Sequence, residues 1–146
     1  MTDPAGPDNI FVPHHWLRRR VHRPATGAYF LIIEKRSSGK VTILDIEGAI
    51  KLGESAEFFS SALDNVLRKE ESNVIIDFTG INYIDSTGMG ELVGYLSKFS
   101  GENRHILLVK PSGRILKLLK VVRLDKAFKI FQDEDSAIAY AEGQVE

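Results

Sequence analysis

The residues with most chemical potential lie together in "YIDSTGMGEL", Tyr83 to Leu92. Asp85, Ser86 and Thr87 place a carboxylate beside two hydroxyls, and Gly88, Met89 and Gly90 follow at once. Several chemistries could use such a group. A serine nucleophile needs a base, usually histidine, and a third residue to orient that base. Outside the first 28 residues the only histidine is His105, which begins an apolar run, and "STGMG" is not the G-x-S-x-G elbow of hydrolases. The G-x-x-x-x-G-K-[ST] pattern of a phosphate loop is absent as well. Two roles remain. Asp85 or Ser86 can cap a helix, accepting from the free amides of its first turn. Alternatively, the hydroxyl of Ser86 can be modified by another enzyme. Gly88 and Gly90 are unusual so early in a helix, because glycine costs about 0.5–1 kcal/mol there relative to alanine. They imply that something comes close to the backbone, either a partner or a neighbouring strand.

The elements that must position this group are legible around it. "YFLIIEK", from Tyr29 to Lys35, and "KVTILDIEG" are separated by the turn Ser37-Ser38-Gly39 and read as a β-hairpin. Ala56, Phe59, Leu63, Val66 and Leu67 recur at helical spacing between Glu54 and Lys69. "NVIIDF" is the nearly continuous apolar run of a strand covered on both faces. The segment from Thr79 to Asp85 then reads as a loop into a helix whose stripe is Met89, Leu92, Val93, Leu96 and Phe99, ended by Gly101. "HILLVK" is a further strand. Ile115, Leu118, Leu119 and Val122 form a third stripe, with Lys110, Arg114, Lys117, Lys120 and Arg123 on its solvated side. "FKIF" and "DEDSAIAYAE" complete the chain as a short strand and a capped helix. The order β-β-α-β-α-β-α-β-α predicts an α/β fold, with a mixed sheet of about five strands and about four helices packed on it.

The 146 residues suit one domain with a single core. Residues 1–28 hold four of the five prolines, show little periodicity and read as a flexible basic leader to a domain spanning 29–146. Arg18, Arg19, Arg20 and Arg23 against Asp3 and Asp8 leave that leader net positive, although the whole chain carries only −1. "HHWLRRRVHR" could meet acidic lipid or nucleic acid, and His14, His15 and His22 could meet a metal, but their spacing is not that of a closed site. A solvated extension is the simpler account. The chain has no cysteine, which removes thiol catalysis and disulfides and fits a reducing compartment. No apolar run approaches the roughly 18 residues of a membrane span, and no signal peptide opens the chain. A cytoplasmic protein is expected.

"YIDSTGMGEL", placed after this strand order and before "LLVKPSGRILKLLKVVRLDKAFKIFQDEDSAIA", resembles the signature of the STAS domain family over about residues 29–142. Small bacterial members of that family are anti-sigma factor antagonists. The resemblance implies a regulatory binding protein rather than an enzyme, with no cofactor and no metal. Its partner would be an anti-sigma factor that is also a serine kinase, bound by the unphosphorylated form so that the sigma factor is released. Phosphorylation of the serine after the motif aspartate, Ser86 here, would end that binding, and a metal-dependent serine phosphatase would restore it. Asp85, Ser86, Thr87, Gly88, Met89 and Gly90 would form the partner-binding segment. A monomer or weak dimer is implied, with neither nucleic acid nor membrane as direct partner. One departure stands out. Family members often carry an acidic residue soon after the glycine ending the second strand, whereas here Gly48 precedes Ala49, Ile50 and Lys51, and Glu54 is the first acid. The alternative is a STAS-domain scaffold or interaction subunit, as in stress-signalling or lipid-transport complexes, with Ser86 only a helix cap.

Overall fold

The computed structural model describes residues 9–11, 20–22 and 31–143, the first two segments as backbone strands. Two short strands, β1 (Asn9–Phe11) and β2 (Arg20–His22), precede the hairpin β3 (Leu31–Ser38) and β4 (Val41–Ile50). Then come α1 (Glu54–Lys69), β5 (Asn73–Ile84), α2 (Ser86–Ser100), β6 (Ile106–Val109), α3 (Gly113–Val121), β7 (Lys129–Phe131) and α4 (Glu134–Ala141). The α/β alternation and the four helices agree with the sequence. β3 to β7 are the five expected strands. β1 and β2 extend the sheet beyond β3, each pairing antiparallel with its neighbour. Both lie within the leader, where the sequence pattern gave no strand; the rest of residues 1–28 falls outside the described residues.

The strand order is sequential from β1 to β7. The pairs through β3–β4 are antiparallel and those from β4 to β7 parallel. Successive crossovers that all advance in one direction place their helices on one face, because each is right-handed. Accordingly Phe59 and Leu63 of α1, Leu92 and Phe99 of α2, and Ile115 and Leu119 of α3 share one core with Leu44, Ile46, Ile76 and Phe78. The other face is covered by α4, whose Ala137 packs on Val41, Ile43, Ile75, Leu107 and Val109. Because the order never reverses, there is no crevice where neighbouring helices part to opposite faces. The C-terminal edge of the parallel strands is instead a surface.

Three local features differ from the sequence pattern. Residues 79–84, expected as a loop, continue β5. Gly80 looks like a turn residue, but a side chain there would stand 2.9 Å from the Ile46 carbonyl oxygen, so its absence lets two strands close. Register shifts in β4 between Asp45 and Glu47 and between Gly48 and Ala49 absorb the irregularity. In α2, Val93 is exposed and Tyr95 is buried, because the tyrosine hydroxyl finds Asp64 of α1 at 3.1 Å. α2 also ends without a left-handed glycine: Gly101 keeps a helical φ of −61° and Asn103 takes φ 58°.

Candidate functional site

Asp85 organises the end of β5. Its backbone N–H donates to the Ile50 carbonyl at 3.1 Å, prolonging the contact between β4 and β5. One carboxylate oxygen accepts from the Gly88 N–H at 3.0 Å and caps α2, while the other accepts from the Leu52 N–H at 2.8 Å. A single side chain therefore fixes both the helix start and the loop between β4 and α1. Partial burial works against its charge. Donation from the Gly88, Leu52 and Thr87 amides, with Lys51 nearby, outweighs that burial and holds the carboxyl below its ordinary range.

The cap thus belongs to Asp85, and Ser86 is left over. Ser86 is exposed, and its hydroxyl takes no hydrogen bond from the described residues. Thr87 is half-buried, Gly88 and Met89 are buried, and Gly90 is exposed. The two glycines have different causes. A methyl group on Gly88 would stand 2.7 Å from Ile50 Cγ2 and 2.8 Å from Ile84 Cγ1, so the close neighbour is the chain's own pair of strands. A methyl group on Gly90 would meet nothing within 4 Å.

Around Ser86 the surface is partly apolar. Leu52 is 78% exposed, and Tyr83 and Val93 also reach solvent. Lys51 lies at the rim, its Nζ 5.9 Å from the Tyr83 ring centre. The sequence did not single out Leu52, Tyr83 or Val93 as surface residues. Leu52 follows the β4 terminus directly, and Val93 fitted an inward stripe. The amides of the first turn that could neutralise an added anion already serve Asp85. His105, just before β6, lies at the opposite edge of the sheet from Ser86, so no histidine among the described residues reaches the hydroxyl.

Among the described residues one carboxylate group has the spacing of a cation site: Asp45, Asp77 and Glu134. Arg36 donates to Asp45 at 2.6 Å and to Glu134 at 3.0 Å, so a guanidinium already supplies the positive charge and ties α4 to β3 and β4. No helix among the described residues is long and apolar enough to cross a membrane.

Comparison with known proteins covers this framework. A family model described as "STAS domain" matches residues 33–137. A relative in Thermotoga neapolitana, designated a candidate anti-sigma factor antagonist, is 26% identical over 92 residues, which is 62% of this chain and 81% of that protein. A crystal structure of a Thermotoga maritima protein of the same designation superposes with a TM-score of 0.66 at 23% identity, over 75% of this chain and 94% of that one. The unphosphorylated form of the anti-sigma factor antagonist SpoIIAA superposes with a TM-score of 0.67 at 16% identity, over 78% and 99% of the two chains. At these identities the two structural matches establish the fold.

Proposed function

The chain belongs to the STAS domain family, and from that premise we propose that it is a cytoplasmic anti-sigma factor antagonist switched by phosphorylation of Ser86. In this reading the unphosphorylated protein binds an anti-sigma factor with serine kinase activity and thereby frees a sigma factor. A metal-dependent serine phosphatase resets the switch. The observation that carries the reading is the exposed hydroxyl of Ser86, unbonded among the described residues, beside a fully engaged Asp85. A helix start held this firmly can present one hydroxyl to a kinase without rearrangement. Phosphorylation adds about −1.5 to −2 charge. With the nearby amides committed to Asp85, that charge would sit next to the Asp85 carboxylate and among Leu52, Tyr83 and Val93. Burying it there would cost the partner more than the contact gains. Lys51 at the rim favours a partner whose facing group is acidic.

A scaffold in which Ser86 serves only as cap has less support, because Asp85 is the cap. The test is incubation with the anti-sigma kinase and ATP, followed by mapping of the modified residue by mass spectrometry. Ser86→Ala should stay folded, escape modification and bind constitutively, and Ser86→Asp should bind weakly. Modification at another residue with Ser86 untouched would sink the assignment.

A further inference from the structure

Helix α3 and the turn after it carry Arg114, Lys117, Lys120, Arg123 and Lys126, all exposed. Arg114, Lys117 and Lys120 occupy the arc opposite the buried Ile115 and Leu119. Among the described residues none of the five has an ion-pair partner, whereas Arg36, Arg68 and Arg104 each have one. Between Gly113 and Phe128 the only carboxylate is Asp125, which is half-buried. Since the whole chain carries −1, positive charge is concentrated here rather than spread over the molecule.

Two apolar residues stand among these cations. Val121 is 81% exposed and Val122 is 49% exposed. The stripe in the sequence placed Val122 inward, but α3 stops first. Leu124 N–H donates to the Leu119 carbonyl at 2.8 Å and Arg123 N–H to the Lys120 carbonyl at 3.0 Å, which is a Schellman ending. The left-handed residue of that motif is normally glycine. Here it is Arg123, at φ 62°. The chain thus holds a cation where a side chain is unfavourable, beside two uncovered valines.

We infer that this surface docks on an anionic membrane, with Val121 and Val122 entering the headgroup layer and the surrounding cations meeting lipid phosphates. A protein acceptor would need carboxylates matched to five long, mobile side chains. A fluid anionic layer adapts to them, and it also offers the valines an apolar interior. Val121, Val122 and the cations beside them lie away from the switch, whereas Arg114, at the start of α3, is at the Ser86 end of the sheet. α3 starts after the C-terminal end of β6 and finishes before the start of β7, so the valines sit at the edge opposite Ser86. A membrane-held molecule would still present Ser86 outward.

The full chain should cosediment with vesicles of about one third phosphatidylglycerol in phosphatidylcholine, and not with pure phosphatidylcholine, and should be released as salt rises. Each cation near such a surface is worth about fivefold in affinity, so Lys117→Glu with Lys120→Glu should weaken binding by about 25-fold or more. Thermal unfolding would confirm that this variant remains folded. Arg123→Gly gives an independent reading: it should raise Tm, by restoring the preferred residue, while weakening vesicle binding about fivefold. Absence of binding to the anionic vesicles overturns the inference. So does wild-type binding by the double variant, which would assign the lipid contact to the arginines of residues 1–28. Retention on an acidic polypeptide without vesicle binding would identify a protein acceptor instead.

Discussion

Gly88 and Gly90 stand two residues apart in one helix, and the structure assigns them opposite consequences. In Gly88→Ala the new methyl would press on Ile50 Cγ2 at 2.7 Å and Ile84 Cγ1 at 2.8 Å. Those isoleucines are at most 1% exposed, so neither can swing into solvent. Overpacking of this kind costs about 1–3 kcal/mol, and the helix preference for alanine returns at most about 0.5–1 kcal/mol. The net expectation is a loss of about 1–2 kcal/mol. In Gly90→Ala nothing lies within 4 Å, so only the helix preference acts and stability should rise by about 0.5–1 kcal/mol. The two variants should therefore differ by about 2 kcal/mol in urea titrations, with unchanged m-values. If Gly88→Ala equals or exceeds wild type, the isoleucines yield freely and the packing argument is wrong. If Gly90→Ala loses stability, the space around it is not open. Binding then separates a second question. Since no described residue requires glycine at position 90, the proposed partner contact offers a reason for it. Gly90→Ala should be the more stable protein and yet the weaker ligand for the anti-sigma kinase, by calorimetry on the same samples. Wild-type affinity would leave Gly90 no part in the contact.

Asp85→Asn should keep a cap but lose the charge that two backbone amides hold, lowering stability by about 1–2 kcal/mol at neutral pH. Because the folded carboxyl titrates below its unfolded value, its contribution is complete above about pH 4 and fades as pH falls through the lowered value. The gap between wild type and variant should thus narrow on acidification from about pH 6 to pH 3, and a constant gap in denaturant titrations would contradict this. Arg104 is 7% exposed and donates to the carbonyls of Val66, Leu67 and Ser72, so Arg104→Met should cost about 3–5 kcal/mol by removing three hydrogen bonds, with only the Val66 carbonyl keeping a second donor, the Glu70 N–H. A loss below about 1 kcal/mol would mean that water replaces it. Deleting residues 1–28 should leave the domain folded with Tm lower by less than about 5 °C, since β1 and β2 contribute only three residues each; a larger fall would make them part of the core sheet.

Legibility in the sequence followed how local each cause was. α1 is legible between Glu54 and Lys69, because five apolar residues at helical spacing leave one solution. The buried centre of β5 was clear from Val74, Ile75 and Ile76, but its last six residues were not. Gly80 and Asn82 signal a turn locally. What overrides them is the register of β4, which is remote in sequence and invisible from the β5 segment. Val93 and Tyr95 exchanged roles for a similar reason. The hydroxyl that would exclude Tyr95 from the core is satisfied by Asp64, a residue 31 positions earlier. Val122 fitted its stripe, but the helix ended one residue before it.

The site divides along the same line. That Asp85 or Ser86 would cap α2 follows from residue type alone, but which of them does so depends on the Leu52 amide. Once Leu52 N–H lies 2.8 Å from the Asp85 carboxylate, that side chain gains two backbone donors by staying where it is. Ser86 is thereby not needed as the cap. This division of labour suits a switch. A hydroxyl that also held the helix start would unsettle the fold when modified. One that holds nothing can gain and lose a phosphate while the surface presenting it stays unchanged. In the proposed switch the effect of modification would then fall on the partner contact.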